Sequence, residues 1–188
     1  MRIGNIPFSF FLGLLCWAAR SEAQPILSWE LFVQQEAGFA VKTPAPLRHS
    51  ADTTFTPLGP LVYHTFFHRV PEALYQKGGN RVYMISLCDY PPGILDRSEA
   101  NWLEAFFEET IDAAAESVGG EVVYKTAIEF DGYPGYLWRI RGPGGRFTIK
   151  TKAFLAGRRY YAVQVVGGSK RSVNAASETF MDSFRLLP

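Results

Sequence analysis

The chain reads as an α+β protein, an antiparallel β-sheet flanked by helices, and three observations predict that class. One long stretch, 96–120, carries a helical period. Four strand-like segments follow it with connections too short for helical crossovers. Two further stretches ahead of it, 61–68 and 81–87, alternate with the period of a strand.

Taken in order, residues 1–23 read as an export signal: Arg2 is the charged start, 6–19 an apolar run, and Ser21-Glu22-Ala23 a small-x-small cleavage site. The apolar run is short for a membrane span. Cys16 follows Gly13-Leu14-Leu15, which lacks the leucine-then-small pattern of a lipidation site. Residues 24–188 then form a single domain, long enough to bury a substantial core. Loss of Arg2, Arg20 and Glu22 takes the 19 basic and 18 acidic side chains down to 17 of each. A neutral chain has no global field steering it toward nucleic acid or a membrane. Cys88 is then the only cysteine, so stability comes from packing rather than from an internal disulfide.

Residues 24–27 read as a disordered start and 29–33 as a strand or one helical turn. Phe39-Ala40-Val41-Lys42-Thr43 is a strand stopped by Pro44 and Pro46. Residues 49–56 are polar and read as turn-rich. The strand 61–68 sets His64 and His68 on one face. After a loop over 71–80, the strand 81–87 is partly apolar on both faces, which predicts a central position. Residues 96–120 form the long helix. Trp102, Leu103, Phe106, Phe107, Thr110, Ile111, Ala114 and Val118 make its apolar stripe. Asp96 with Glu99 forms a capping box, and Gly119-Gly120 supplies the stop. Strands over 122–130, 136–141, 146–155 and 158–166 make a meander, and a helix over 174–184 closes the domain.

Reactive side chains are few. Along a strand, four residues span about 13 Å, too far for His64 and His68 to hold one metal; His49 lies in the polar stretch, so no metal site is predicted. Cys88 reads as a buried small hydrophobe at a strand end rather than a thiol with a base. Asp89 with Asp96, or Glu129 with Asp131, are ordinary strand-end acids. Neither a Gly-x-Ser-x-Gly elbow, a His-Glu-x-x-His helix nor a phosphate loop occurs. No catalytic residue and no cofactor is therefore assigned.

The informative polar pattern is basic. Arg139 and Arg141 share one strand face, and Lys150 and Lys152 share one face of the next strand. Pairing around the glycine-rich turn 142–145 brings these side chains together. Arg146 extends the series, Lys125 joins it if the preceding strand pairs in register, and Tyr133 offers an exposed aromatic in a turn. This set is the candidate ligand-binding site, suited to an anionic ligand, an envelope protein or an anionic lipid surface. The competing reading is a solvated sheet face balanced by acidic side chains.

Phe39-Ala-Val-Lys-Thr-Pro44, Asp89-Tyr-Pro91, the acid-backed helix, Asp131-Gly-Tyr-Pro-Gly135, Phe154-Leu-Ala-Gly-Arg-Arg-Tyr-Tyr161 and Phe180-Met-Asp-Ser-Phe-Arg-Leu186 recur here as a set. That set resembles a family of small exported bacterial proteins, of uncharacterised function, with a PsbP-like fold. The resemblance spans nearly all of 24–188 and rests on turn and core signatures. It implies an α/β/α sandwich and a binding or assembly role, as for PsbP, an extrinsic non-enzymatic subunit of the photosynthetic oxygen-evolving complex. It brings no catalytic residues. The expected function is a non-enzymatic, exported binding or accessory protein, periplasmic or extracellular. The alternatives are a small periplasmic hydrolase with a site assembled from loops, or a peripheral envelope protein on anionic lipid. An open cleft joining Cys88 or Asp89 to a histidine would favour the enzyme.

Overall fold

A computed structural model describes residues 28–56, 59–72, 79–95, 101–168 and 174–188. The signal over 1–23, the start over 24–27 and the cap at Asp96 lie outside them.

The chain runs β1 (Glu30–Gln34), β2 (Phe39–Thr43), β3 (Arg48–Thr56), β4 (Gly59–Arg69), β5 (Asn80–Asp89), α1 (Trp102–Ser117), β6 (Glu121–Phe130), β7 (Tyr133–Arg141), β8 (Thr148–Ala156), β9 (Arg159–Gly167), α2 (Ala175–Asp182) and β10 (Arg185–Leu186). Seven strands form one antiparallel sheet in the order β3-β4-β5-β9-β8-β7-β6, and β1-β2-β10 form a small second sheet. Helix α1 covers one face of the large sheet. Helix α2 and the small sheet cover the other. The architecture is the α+β sandwich expected, with β5 and β9 at its centre.

Strand β9 shows why. Tyr160 and Ala162 point to the α1 side, while Tyr161, Val163 and Val165 point to the opposite side, and all five are buried. A strand covered on both faces loses the polar half of its alternation. On the α1 side, Phe107, Ile111 and Ala115 meet Trp138, Ile140, Ala153 and Leu155. On the other, Phe39, Val41, Phe180 and Phe184 meet Ile85, Leu87 and Phe154. Each fully buried side chain of this size contributes about 1.5–3 kcal/mol.

The helix stripe is narrower than the sequence indicates. Phe107, Ile111 and Ala115, at strict four-residue spacing, are its buried line, and Phe106 is only half-buried, edge-on to Tyr90 and Tyr160. Gly119 ends the helix in the left-handed region at φ 57°. Asp131 (φ 50°) and Gly132 (φ 79°) form the two-residue turn between β6 and β7, the pairing that a right-twisted hairpin requires.

One stretch departs from expectation. Residues 49–56, read as turn-rich, lie in β3, which pairs with β4 over its whole length from Arg48↔Phe67 to Thr56↔Gly59. It is an edge strand of the large sheet, so solvent accepts its polar side chains. Strand β10 pairs with β2 (Arg185↔Ala40), and the Leu187 N–H donates to the Gly38 carbonyl at 2.9 Å, tying 185–187 to the start of the domain.

Candidate functional site

Two regions of the α2-side face of the large sheet carry the polar chemistry. The first is a pocket of about 260 Å³ whose lining includes His49, His64, Phe66, Asp89 and Arg159, with Gln34, Glu36 and Ala37 along one wall. Strand register builds its floor. Ala51 is opposite His64, and His49 is opposite Phe66, so the two histidines are diagonal neighbours on one face of the β3–β4 hairpin. The wall is the β1–β2 turn, held down by the Tyr161 hydroxyl, which donates to the Ala37 carbonyl at 2.8 Å.

His49 Nε2 and His64 Nδ1 are 3.0 Å apart, one donating and the other accepting. The ring planes are within 10° of parallel and their centres are 5.3 Å apart. That separation is the N···N distance plus about the width of one ring, so the two nitrogens face each other along the line between the rings. His49 also stacks on Phe66, with centres 4.6 Å apart. Across the pocket, Arg159 grips Asp89 with both ends of its fork, Nε to Oδ1 at 2.6 Å and Nη2 to Oδ2 at 2.7 Å. These bonds hold the Asp89 carboxyl below its usual range despite some burial, with the charge of His64 a minor contributor.

The cleft thus joins Asp89 to a histidine. Cys88 is turned the other way: it is opposite Tyr63 in the register and buried on the α1 side. Burial, and then the charge of Asp89, push its thiol up to about 11. Its burial at the end of the strand is as expected. Among the described residues, no group of three or more His, Cys, Asp or Glu side chains is arranged to hold a metal. His68, at the far end of the same face, is lowered by burial and by neighbouring Arg48.

The second region is the basic series. Arg139 lies directly opposite Lys150, Leu137 opposite Lys152 and Arg141 opposite Thr148, so the four cations share one face. Their environments differ. Arg139 and Lys150 are half-buried neighbours. Arg141 pairs with Glu121 at 2.9 Å on the exposed edge. Lys152 reaches under the end of α2, where Nζ donates to the Met181 carbonyl at 2.6 Å and lies 4.9 Å from the Phe130 ring centre; desolvation there lowers its proton affinity. Arg146 is exposed and donates to the Pro143 carbonyl within its own turn at 3.2 Å. Tyr133 is exposed but starts β7, six residues from Arg139 and about 20 Å along the strand. Lys125 belongs to the other face: it is opposite Trp138, beyond a register shift at 122–124, and pairs with Glu108 of α1.

No family model matches the chain, and no curated relative does. Among solved structures it is similar to the solution structure of cyanobacterial PsbP (CyanoP) from Synechocystis sp. PCC 6803. That match has 14% identity and a TM-score of 0.53, covering 87% of this chain and 95% of that one. The fold is PsbP-like.

Within that PsbP-like sandwich, the pairing of Arg139 with Lys150 follows from the short turn after β7 and was legible in the sequence. The pocket was not. Its two histidines are 15 residues apart, and they meet only if 48–56 is a strand. The signal was present in the alternation of His49, Ala51, Thr53 and Phe55, on the same face as Val62, His64 and Phe66.

Proposed function

We propose that this protein is a non-enzymatic, exported binding or accessory protein that docks an anionic group of an envelope partner on the β7–β8 face. The observation carrying the reading is the register that sets Arg139 opposite Lys150. Two cations set side by side on one strand face offer an anionic group adjacent charge-assisted donors. Arg146 extends the positive surface toward the β7–β8 turn, while Arg141 is paired with Glu121 and Lys152 serves to hold α2. Tyr133 is left to contact a large partner at the far end of the strand. Residues 1–23 as a cleaved signal accord with a periplasmic or extracellular site of action. None of the described helices is long and apolar enough to cross a membrane.

The test is affinity capture from the native envelope with the parent chain and an Arg139→Gln/Lys150→Gln variant of unchanged thermal stability. Partner recovery falls about tenfold and becomes insensitive to salt in the variant if the reading is right. Equal recovery from the two chains would dismiss it.

The hydrolase alternative draws on Asp89 and His64 lining one pocket. Their bonding favours binding instead. The Asp89 carboxylate is committed to Arg159 through two short bonds, and Nδ1 of His64 is committed to His49.

A further inference from the structure

We propose that the His49–His64 pair is a proton-dependent site for a small dissolved oxyanion, closed on itself when neutral and opened by acid. It is a different surface from the β7–β8 face and stands independently of the partner proposed there.

The proton count decides what the two rings can hold. Two neutral imidazoles facing head-on share one hydrogen bond, with one N–H and one lone pair. A first added proton keeps that bond and makes it charge-assisted, hence stronger. A second proton leaves two N–H donors pointing at each other and places two like charges side by side. The inter-ring bond is then lost, and both donors need an acceptor. An oxyanion oxygen supplies it, accepting from both rings once they part.

The surroundings set the sign of the field. The charged groups around the pair are Glu36 from the β1–β2 turn, Asp89 from β5, Arg159 from β9 and Arg158 from the turn before it, whose charge acts on Asp89. Arg159 and Asp89 neutralise each other and Arg158 offsets Glu36, so the pocket has no net charge when both rings are neutral. With both rings protonated it carries two net positive charges. Acid therefore converts a neutral pocket into one that attracts anions. Phe66, stacked against His49, presents its face to the cation that forms. The volume of about 260 Å³ suits a carboxylate or tetrahedral oxyanion of few heavy atoms. Linkage makes the effect reciprocal: an anion favoured by the second proton also favours uptake of that proton.

Sulfate is the probe, because its own charge is constant over the range tested. Calorimetric titration of the full chain at about pH 5.5 and about pH 8, in buffers of different ionisation enthalpy, reads affinity and proton uptake together. Sulfate should bind roughly tenfold or more tightly at the lower pH, with net proton uptake. His49→Gln and His64→Gln, each tested for unchanged thermal unfolding, should both abolish the pH dependence. Affinity independent of pH, binding without proton uptake, or pH-dependent binding surviving in both variants would each overturn the proposal. So would the absence of sulfate binding at either pH.

Discussion

The side chains of Asn80 and Asn174 exchange two hydrogen bonds, Nδ2 of each donating to Oδ1 of the other at 3.0 and 2.9 Å, across 94 positions of sequence. Asn80 opens β5 and also donates to the Tyr83 hydroxyl; Asn174 caps α2 by accepting from the Ser177 N–H at 2.9 Å. One amide pair therefore fixes the start of the closing helix to the central strand. Asn174→Ala removes a cap and leaves buried Asn80 short of partners, so it should cost about 2–3 kcal/mol. Asn80→Ala should cost a similar amount, with the double variant well short of the sum. Urea midpoints at constant m-value measure both. Strict additivity would show that the two amides act separately.

Phe107 and Phe106 are adjacent on α1 but differ in burial. Phe107→Ala should destabilise by roughly 3–5 kcal/mol, since a fully buried ring is replaced by a cavity. Phe106→Ala should cost clearly less, because that ring already meets solvent. Equal losses in denaturant melts would mean that the buried line runs elsewhere on the helix.

Cys88 should resist alkylation by iodoacetamide at about pH 8 in the native chain and react on unfolding. Its folded value of about 11 exceeds that of a free thiol. The folded form thus holds its proton where the unfolded form has lost it, and stability falls as pH rises through that window, from about 8.5 upward. Cys88→Ala removes this alkaline term. A native thiol that alkylates at the rate of a free peptide would contradict the burial.

Asp89 contributes with the opposite sign. Arg159 holds its carboxyl below the usual range, so the pairing stabilises the fold above the unfolded carboxylate value, near 3.9, and the contribution is lost as pH falls below it. The side chain is 58% exposed, so solvent screening keeps the effect under about 1 kcal/mol. Asp89→Asn should flatten the acid limb of the stability profile while shifting the neutral midpoint little. A loss of several kcal/mol at neutral pH would assign the pair a larger structural role.

Lys152 separates packing from recognition. Lys152→Met removes the bond to the Met181 carbonyl at the end of α2 and should lower stability by about 1 kcal/mol. It should leave capture on the β7–β8 face unchanged, unlike neutralisation of Arg139 and Lys150. Thermal unfolding and capture measured on the same variant distinguish the two roles.

Much of the architecture was legible because its punctuation is local. Asp131-Gly132 and the glycine-rich turn after Arg141 fix short connections, which force antiparallel neighbours and set Arg139 against Lys150. What escaped depends on distant pairing. An edge strand tolerates Ser50, Asp52, Thr53 and Thr54, so β3 carries a turn-like composition, and with it went the contact between His49 and His64. A register shift at 122–124 fixes Lys125 opposite Trp138, a detail invisible in alternation alone. The capping of α2 by Lys152 required knowing which layer lies over β8.

The seam between β5 and β9 joins Asn80 to Gly167, and β10 returns to β2 across some 145 positions. Each half of the large sheet is a run of consecutive hairpins, and the β5–β9 pairing alone joins the two. A polypeptide delivered from its N-terminal end would hold β3, β4 and β5 with an open flank until β9 arrives. Such non-local closure makes for slow assembly and a prolonged exposure of Ile85 and Leu87. The polar outer strand β3, which reads so poorly as a strand, would blunt edge-to-edge association on the other flank of that waiting three-stranded meander.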